Sequence, residues 1–142
     1  MRKALSLLLF SVLVSLGVTA WGAEKTIKLG VIAELTGDMP AVGASCRNAA
    51  EMAVKEVNAA GGLKVGKEKM KVELVVEDNA GKADQSAAAA QKLITQDEVL
   101  AIVGPNASRY AIPASEIAES SQTVLITPWS TKIKSTRLNS SH

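Results

Sequence analysis

Between residues 26 and 127, four short runs rich in Val, Ile, Leu and Thr alternate with three stretches of helical period, and this alternation is the strongest constraint on the fold. Thr26 to Ile32 (TIKLGVI) carries apolar residues on both parities, the pattern of a strand covered on both faces. Lys71 to Glu77 (KVELVVE), Val99 to Val103 (VLAIV) and Thr123 to Thr127 (TVLIT) read as strands two, three and four. The first helix runs from Ala44, with Cys46, Ala49, Ala50, Ala53 and Val57 at helical spacing, and ends at Asn58-Ala59-Ala60-Gly61-Gly62. Its opposite face carries Arg47, Glu51 and Lys55, with Glu51 and Lys55 four apart. Ala83 to Gln96 is the second helix, with Ala87, Ala90, Leu93 and Ile94 on its buried face, and the third spans about Arg109 to Ser121. Gly66, Asp78-Asn79 with Gly81, Gly104-Pro105 and Pro128 supply the breaks.

The order β-α-β-α-β-α-β favours parallel pairing through right-handed crossovers, hence an open, doubly wound sheet with strand order 2-1-3-4. A closed eight-fold barrel needs far more chain. In an open α/β sheet the ligand crevice lies beyond the C-terminal strand ends, where the order switches. Here the switch falls between strands one and three, which gathers the loops Glu34 to Gly43, Gly104 to Tyr110, and Pro128 to Thr131.

Those loops hold the candidate site. Ser108 stands at or near the start of the third helix, where unpaired N–H groups and the positive dipole end favour an anion. The same serine reads equally well as the N-cap of its own helix. Ser130 and Thr131 add hydroxyls from the adjacent loop. Trp129 is either a pocket wall or a packing plug. Arg109 and Tyr110 are expected on the helix surface and in lobe packing, and Asp78 is expected as a turn or cap residue.

Motifs for chemistry are missing. No G-x-G-x-x-G follows strand one, and the chain has no P-loop, no nucleophile elbow and no Cys/His cluster for a metal. Glu77 and Asp78 are adjacent on a strand and so point to opposite faces, which removes them as a catalytic pair. Cys46 is the only cysteine and the sole histidine is His142, so Cys46 is expected to be an inert, buried helix residue. No enzyme activity and no cofactor are expected. A net charge of +2 with scattered basic residues, and an aromatic content of 3%, argue against nucleic acid as a partner.

The two ends differ from this pattern. Met1-Arg2-Lys3 followed by the apolar run Ala4 to Val18 and small residues near Ala20 reads as a secretory signal over residues 1–22, cleaved near Ala20 to Ala23. The run is shorter than the ~20 apolar residues a membrane-spanning helix needs, so a periplasmic protein is expected. Lys132 to His142 (KIKSTRLNSSH) has neither hydrophobic period nor turn chemistry and is expected to be an unstructured, appended tail. Residues 23–131 would then form one partial N-terminal lobe.

From Ile27 to Thr131 the segments IKLGVIAELTGDMPAVG, NAAEMAVKEVNAAGG, KVELVVEDNAGKADQSAAAAQKLI, VGPNASRYAIPASEIAE and VLITPWST occur in the order of the leucine/isoleucine/valine-binding branch of the type I periplasmic binding proteins, which this chain resembles. The resemblance implies a two-lobed receptor that closes on a small ligand and presents it to an ABC permease of the inner membrane. It implies that Ser108 and Thr131, with backbone from Asn106 and Trp129, grip the carboxylate and ammonium of an amino acid or similar small carboxylate. Two departures bear on the ligand: Val42 replaces an aromatic of the first loop, and Trp129 stands where the branched-chain binder carries a small residue. The alternative function is an extracytoplasmic sensing module of a receptor; an α/β enzyme comes third.

Overall fold

The computed structural model describes residues 25–131. The signal segment and the tail from Lys132 to His142 lie outside the described residues. The elements are β1 (Thr26–Ala33), α1 (Pro40–Ala59), β2 (Leu63–Val65), β3 (Glu68–Asp78), α2 (Ala83–Thr95), β4 (Ala101–Val103), α3 (Ser108–Ser120) and β5 (Val124–Ile126).

One sheet runs in the order β2-β3-β1-β4-β5. The four expected strands are β1, β3, β4 and β5, so the expected 2-1-3-4 order is the one observed, and β1 pairs in parallel with both β3 and β4. The expectation of a bare turn around Gly66 needs correction. Leu63–Val65 forms a short antiparallel strand against Glu68–Met70, with Gly66 at φ +62 in the hairpin. All three residues of β2 are exposed, so no buried face marked it in the sequence. The first helix also begins earlier than expected, at Pro40, because proline at the first helical position surrenders no needed N–H.

Helices cover both faces of the sheet, as continuous apolar strands require. On β1, Ile32 joins Leu93, Ala89 and Ala90 of α2, Ala114 of α3, and Val99 and Ile102 in the buried core. Leu93 lies so close over Gly30 that a Cβ there would come within 2.9 Å of its side chain. On the opposite parity Leu29, with Val72 of β3, faces Ala53, Val54 and Val57 of α1. Each fully buried Leu or Ile contributes roughly 1.5–3 kcal/mol relative to exposure, so Ile32, Leu93 and Ile102 anchor the α2–α3 face.

The burial of the helices refines the sequence pattern. On α2 the buried residues are Ser86, Ala89, Ala90 and Leu93, while Ala87 and Ile94 are only half-buried. On α1 only Gly43 is buried, and Ala49 and Ala53 are exposed. Cys46 is half-buried, which corrects the expectation of a core cysteine. At the other edge, Val124 and Ile126 of β5 are exposed.

Candidate functional site

The C-terminal ends of β1 and β4 meet at the switch point. Gly104 sits there at φ +94, and a Cβ on it would lie 2.1 Å from the carbonyl oxygen of Ile32, so only glycine lets the two strand ends approach this closely. Glu34 follows β1 and is fully buried. Its Oε1 accepts the backbone N–H of Asn106 at 3.0 Å and of Ala107 at 3.3 Å, and its Oε2 accepts the Asn106 side-chain amide at 2.6 Å. One carboxylate thus ties the end of strand β1 to the turn that launches α3.

Other bonds hold the first loop. Asp78, at the end of β3, accepts the N–H groups of Leu35 and Thr36, the Thr36 hydroxyl and the N–H of Ala80. Burial pushes the Asp78 carboxyl up, but the hydrogen bonds from Thr36, Ala80 and Leu35 outweigh it and hold the group below its ordinary value. The expected turn role of Asp78 is observed. Asp38 accepts the Tyr110 hydroxyl at 3.0 Å and pairs with Arg109, whose guanidinium lies 4.6 Å from the Tyr110 ring centroid. Arg109 is exposed and Tyr110 buried, as expected for surface and packing residues.

Between these supports opens a crevice of about 460 Å³, lined by Ala41, Val42, Ser45 and Cys46 of α1, by Asn106, and by Pro128 and Trp129 after β5. It lies where the topological rule puts it. Of the residues singled out in the sequence, Asn106 and Trp129 share its wall. Asn106 is buried and its amide is engaged by Glu34, whereas Trp129 is 65% exposed. Trp129 therefore lines the crevice with most of its surface open. Ser108 and Ser130 come together: the Ser130 hydroxyl donates to the Ser108 hydroxyl at 3.0 Å. Thr131 is exposed, and among the described residues no hydrogen bond joins it to the serines.

Ser108 is not a helix cap. It is the first residue of α3, the capping position belongs to Ala107, and no side chain caps the helix. The Tyr110 N–H turns back to the Ala107 carbonyl at 3.0 Å, among the described residues no side chain takes the N–H groups of Ser108 and Arg109, and the Ser108 hydroxyl accepts from Ser130. Uncapped N–H groups, two hydroxyls and the positive helix end suit a carboxylate. Around them the wall is mostly apolar, the usual make-up of a small-molecule site.

Glu34, Asp38 and Ser45 escaped the sequence reading as individual residues, and Cys46 was expected only in the core, not on a crevice wall. A charged residue directly after the apolar run of β1 was the one signal for Glu34. The Cys46 thiol is pushed up by burial and then by the negative charge of Glu34, against a hydrogen bond from Asn106 that pulls the other way, so it is a poor nucleophile. Glu77 pairs with Lys92 while Asp78 turns to the loop, so the two carboxylates do not converge. Among the described residues no group of His, Cys, Asp and Glu could hold a metal ion, and no helix is long and apolar enough to cross a membrane.

Comparison with known proteins agrees with this architecture. The Leu/Ile/Val-binding protein BraC3 of Rhizobium johnstonii is 38% identical over 109 residues, covering 77% of this chain and 28% of that protein. The substrate-binding protein LivJ of Streptococcus pneumoniae, solved in complex with isoleucine, superposes with a TM-score of 0.72 at 34% identity, over 78% of this chain and 30% of that one. An ABC-transporter solute-binding protein of Rhodopseudomonas palustris BisB5, solved with 3,4-dihydroxybenzoic acid, gives a TM-score of 0.65 at 28% identity, over 74% of this chain and 27% of that one. The chain thus spans less than a third of the length of these relatives. The periplasmic binding protein family itself matches residues 26–140. With that match running through every element of the sheet and relatives of the leucine/isoleucine/valine-binding type at this level of identity, the chain belongs to the periplasmic binding protein family.

Proposed function

We propose that residues 23–131 are part of the first lobe of a two-lobed receptor, exported by the signal segment at residues 1–22 to the periplasm, that captures an amino acid or similar small carboxylate for an ABC permease. Capture involves no chemistry. The observation that carries the reading is the Ser108–Ser130 hydroxyl pair at the uncapped start of α3, beside an apolar crevice at the switch point of the sheet. In this reading the ligand carboxylate takes the Ser108 and Ser130 hydroxyls and the first N–H groups of α3, with Thr131 and the backbone of Asn106 and Trp129 completing the grip. A second lobe supplies the remaining contacts on closure. The relatives, which include Leu/Ile/Val-binding proteins and a binding protein solved with leucine, support the ligand class.

A charge-assisted hydrogen bond contributes about 1.5–3 kcal/mol, equivalent to roughly a 10- to 150-fold change in affinity. Calorimetry on the complete gene product should find micromolar binding of at least one amino acid or small carboxylate, and Ser108→Ala should weaken it at least tenfold. Binding unchanged in Ser108→Ala would remove the serine from the site, and a folded receptor that binds no carboxylate would end the reading.

A further inference from the structure

Trp129 is 65% exposed, although an indole is among the largest apolar surfaces a protein can bury. Pro128 lies beside it, Asn106 contributes from the loop before α3, and the remaining crevice residues Ala41, Val42, Ser45 and Cys46 are small and come from the first two turns of α1. The crevice therefore has one aromatic side and one wall of small side chains, with open space between.

That space is held open by backbone rather than by side-chain choice. The wall cannot settle toward the sheet, because Gly43 of α1 already lies against β1's end: a Cβ there would fall 2.2 Å from the carbonyl oxygen of Glu34. Glu34 is in turn pinned by Asn106 and Ala107. Trp129 itself is followed directly by Ser130, whose hydroxyl is engaged with Ser108. Consecutive Cα atoms are about 3.8 Å apart, so the serine pair, which is not itself part of the crevice lining, lies one residue along the chain from the indole.

We infer that this crevice selects a carboxylate bearing a flat aromatic ring, an aromatic amino acid or aromatic acid, with Trp129 as the stacking face and the small residues of α1 as the opposite wall. The inference rests on the reading of this crevice as the ligand site. A ring offers its face to the indole in an offset stack and presents its other face to the small-residue wall, an arrangement that gains beyond the area buried. A branched aliphatic chain covers the indole without that stacking and leaves more of the slot unfilled.

The test compares L-phenylalanine, 4-hydroxybenzoate and L-leucine by calorimetry on the complete gene product, stripped of carried-over ligand, in wild type, Trp129→Leu and Trp129→Phe. We expect one of the aromatic probes to bind at least tenfold more tightly than leucine. Trp129→Leu should cut that preference at least tenfold, and Trp129→Phe should restore most of it. Because the readout is a ratio within each variant, a general loss of folded protein does not mimic it. Leucine binding as tightly as both aromatic probes, or a preference unmoved in Trp129→Leu, overturns the aromatic selectivity while leaving the receptor reading intact. Failure of all three probes and of every other carboxylate overturns both.

Discussion

Removing the Glu34 carboxylate should destabilise the fold and weaken ligand binding together. The group is fully buried and faces three donors, the N–H groups of Asn106 and Ala107 and the Asn106 amide. Glu34→Gln keeps the shape and one acceptor oxygen. If the Asn106 amide turns over, its oxygen accepts from the new Gln amide, so the loss is chiefly charge assistance. Hydrogen bonds to a charged group are worth about 1.5–3 kcal/mol against 0.5–1.5 for neutral ones, so three bonds lose roughly 3–4.5 kcal/mol, which relief from desolvating a buried charge brings down to about 2–3 kcal/mol. Glu34→Ala leaves all three donors without an acceptor, and about 3–5 kcal/mol is expected. At an m-value of about 2 kcal/mol/M the urea midpoint should fall by roughly 1–1.5 M for Gln and further for Ala. The shift should persist in 1 M salt, because a buried group is poorly screened. Since Glu34 holds the turn that presents Ser108, the Ala variant should also bind ligand more weakly. Urea unfolding followed by circular dichroism is the assay. Both variants within 0.5 kcal/mol of wild type, or equal losses for Gln and Ala, would refute the reasoning.

Asp78 is held below its ordinary carboxyl value of 3.8, so its contribution is complete above that value and is lost as pH falls below it toward the folded-state pKa. Asp78→Asn should therefore melt lower than wild type at pH 7, with the gap narrowing as pH falls below 3.8; a gap that stays constant would remove the linkage. Cys46 lines the crevice with a raised thiol. Its alkylation by iodoacetamide at pH 7.5 should be slower than that of a free thiol, speed up above the ordinary value of 9.0, and slow further with bound ligand; rapid labelling indifferent to ligand would contradict the placement of this residue.

Much of the architecture was legible along the chain. Apolar runs on both parities specify strands covered on both sides, and helical spacing between them requires crossovers that can return only with one hand. The order β3-β1-β4-β5, the crevice at the switch point and the serines beside it follow from those local patterns and from a topological rule. Strand β2 did not follow, because three exposed residues carry no burial pattern. Ser108 was ambiguous for a different reason: cap or first helical residue is a difference of one position, set by where the turn before it is held. That turn is held by Glu34, 72 residues away from Asn106 in sequence, and nothing local links the two. Only when β1 and β4 lie side by side do their ends bring the carboxylate to its three donors, and only then does the gap between Trp129 and the start of α1 exist. Propensity and period act over a few residues and determined the elements; the site depends on contacts between loops far apart in the chain, which the packing of the sheet alone decides.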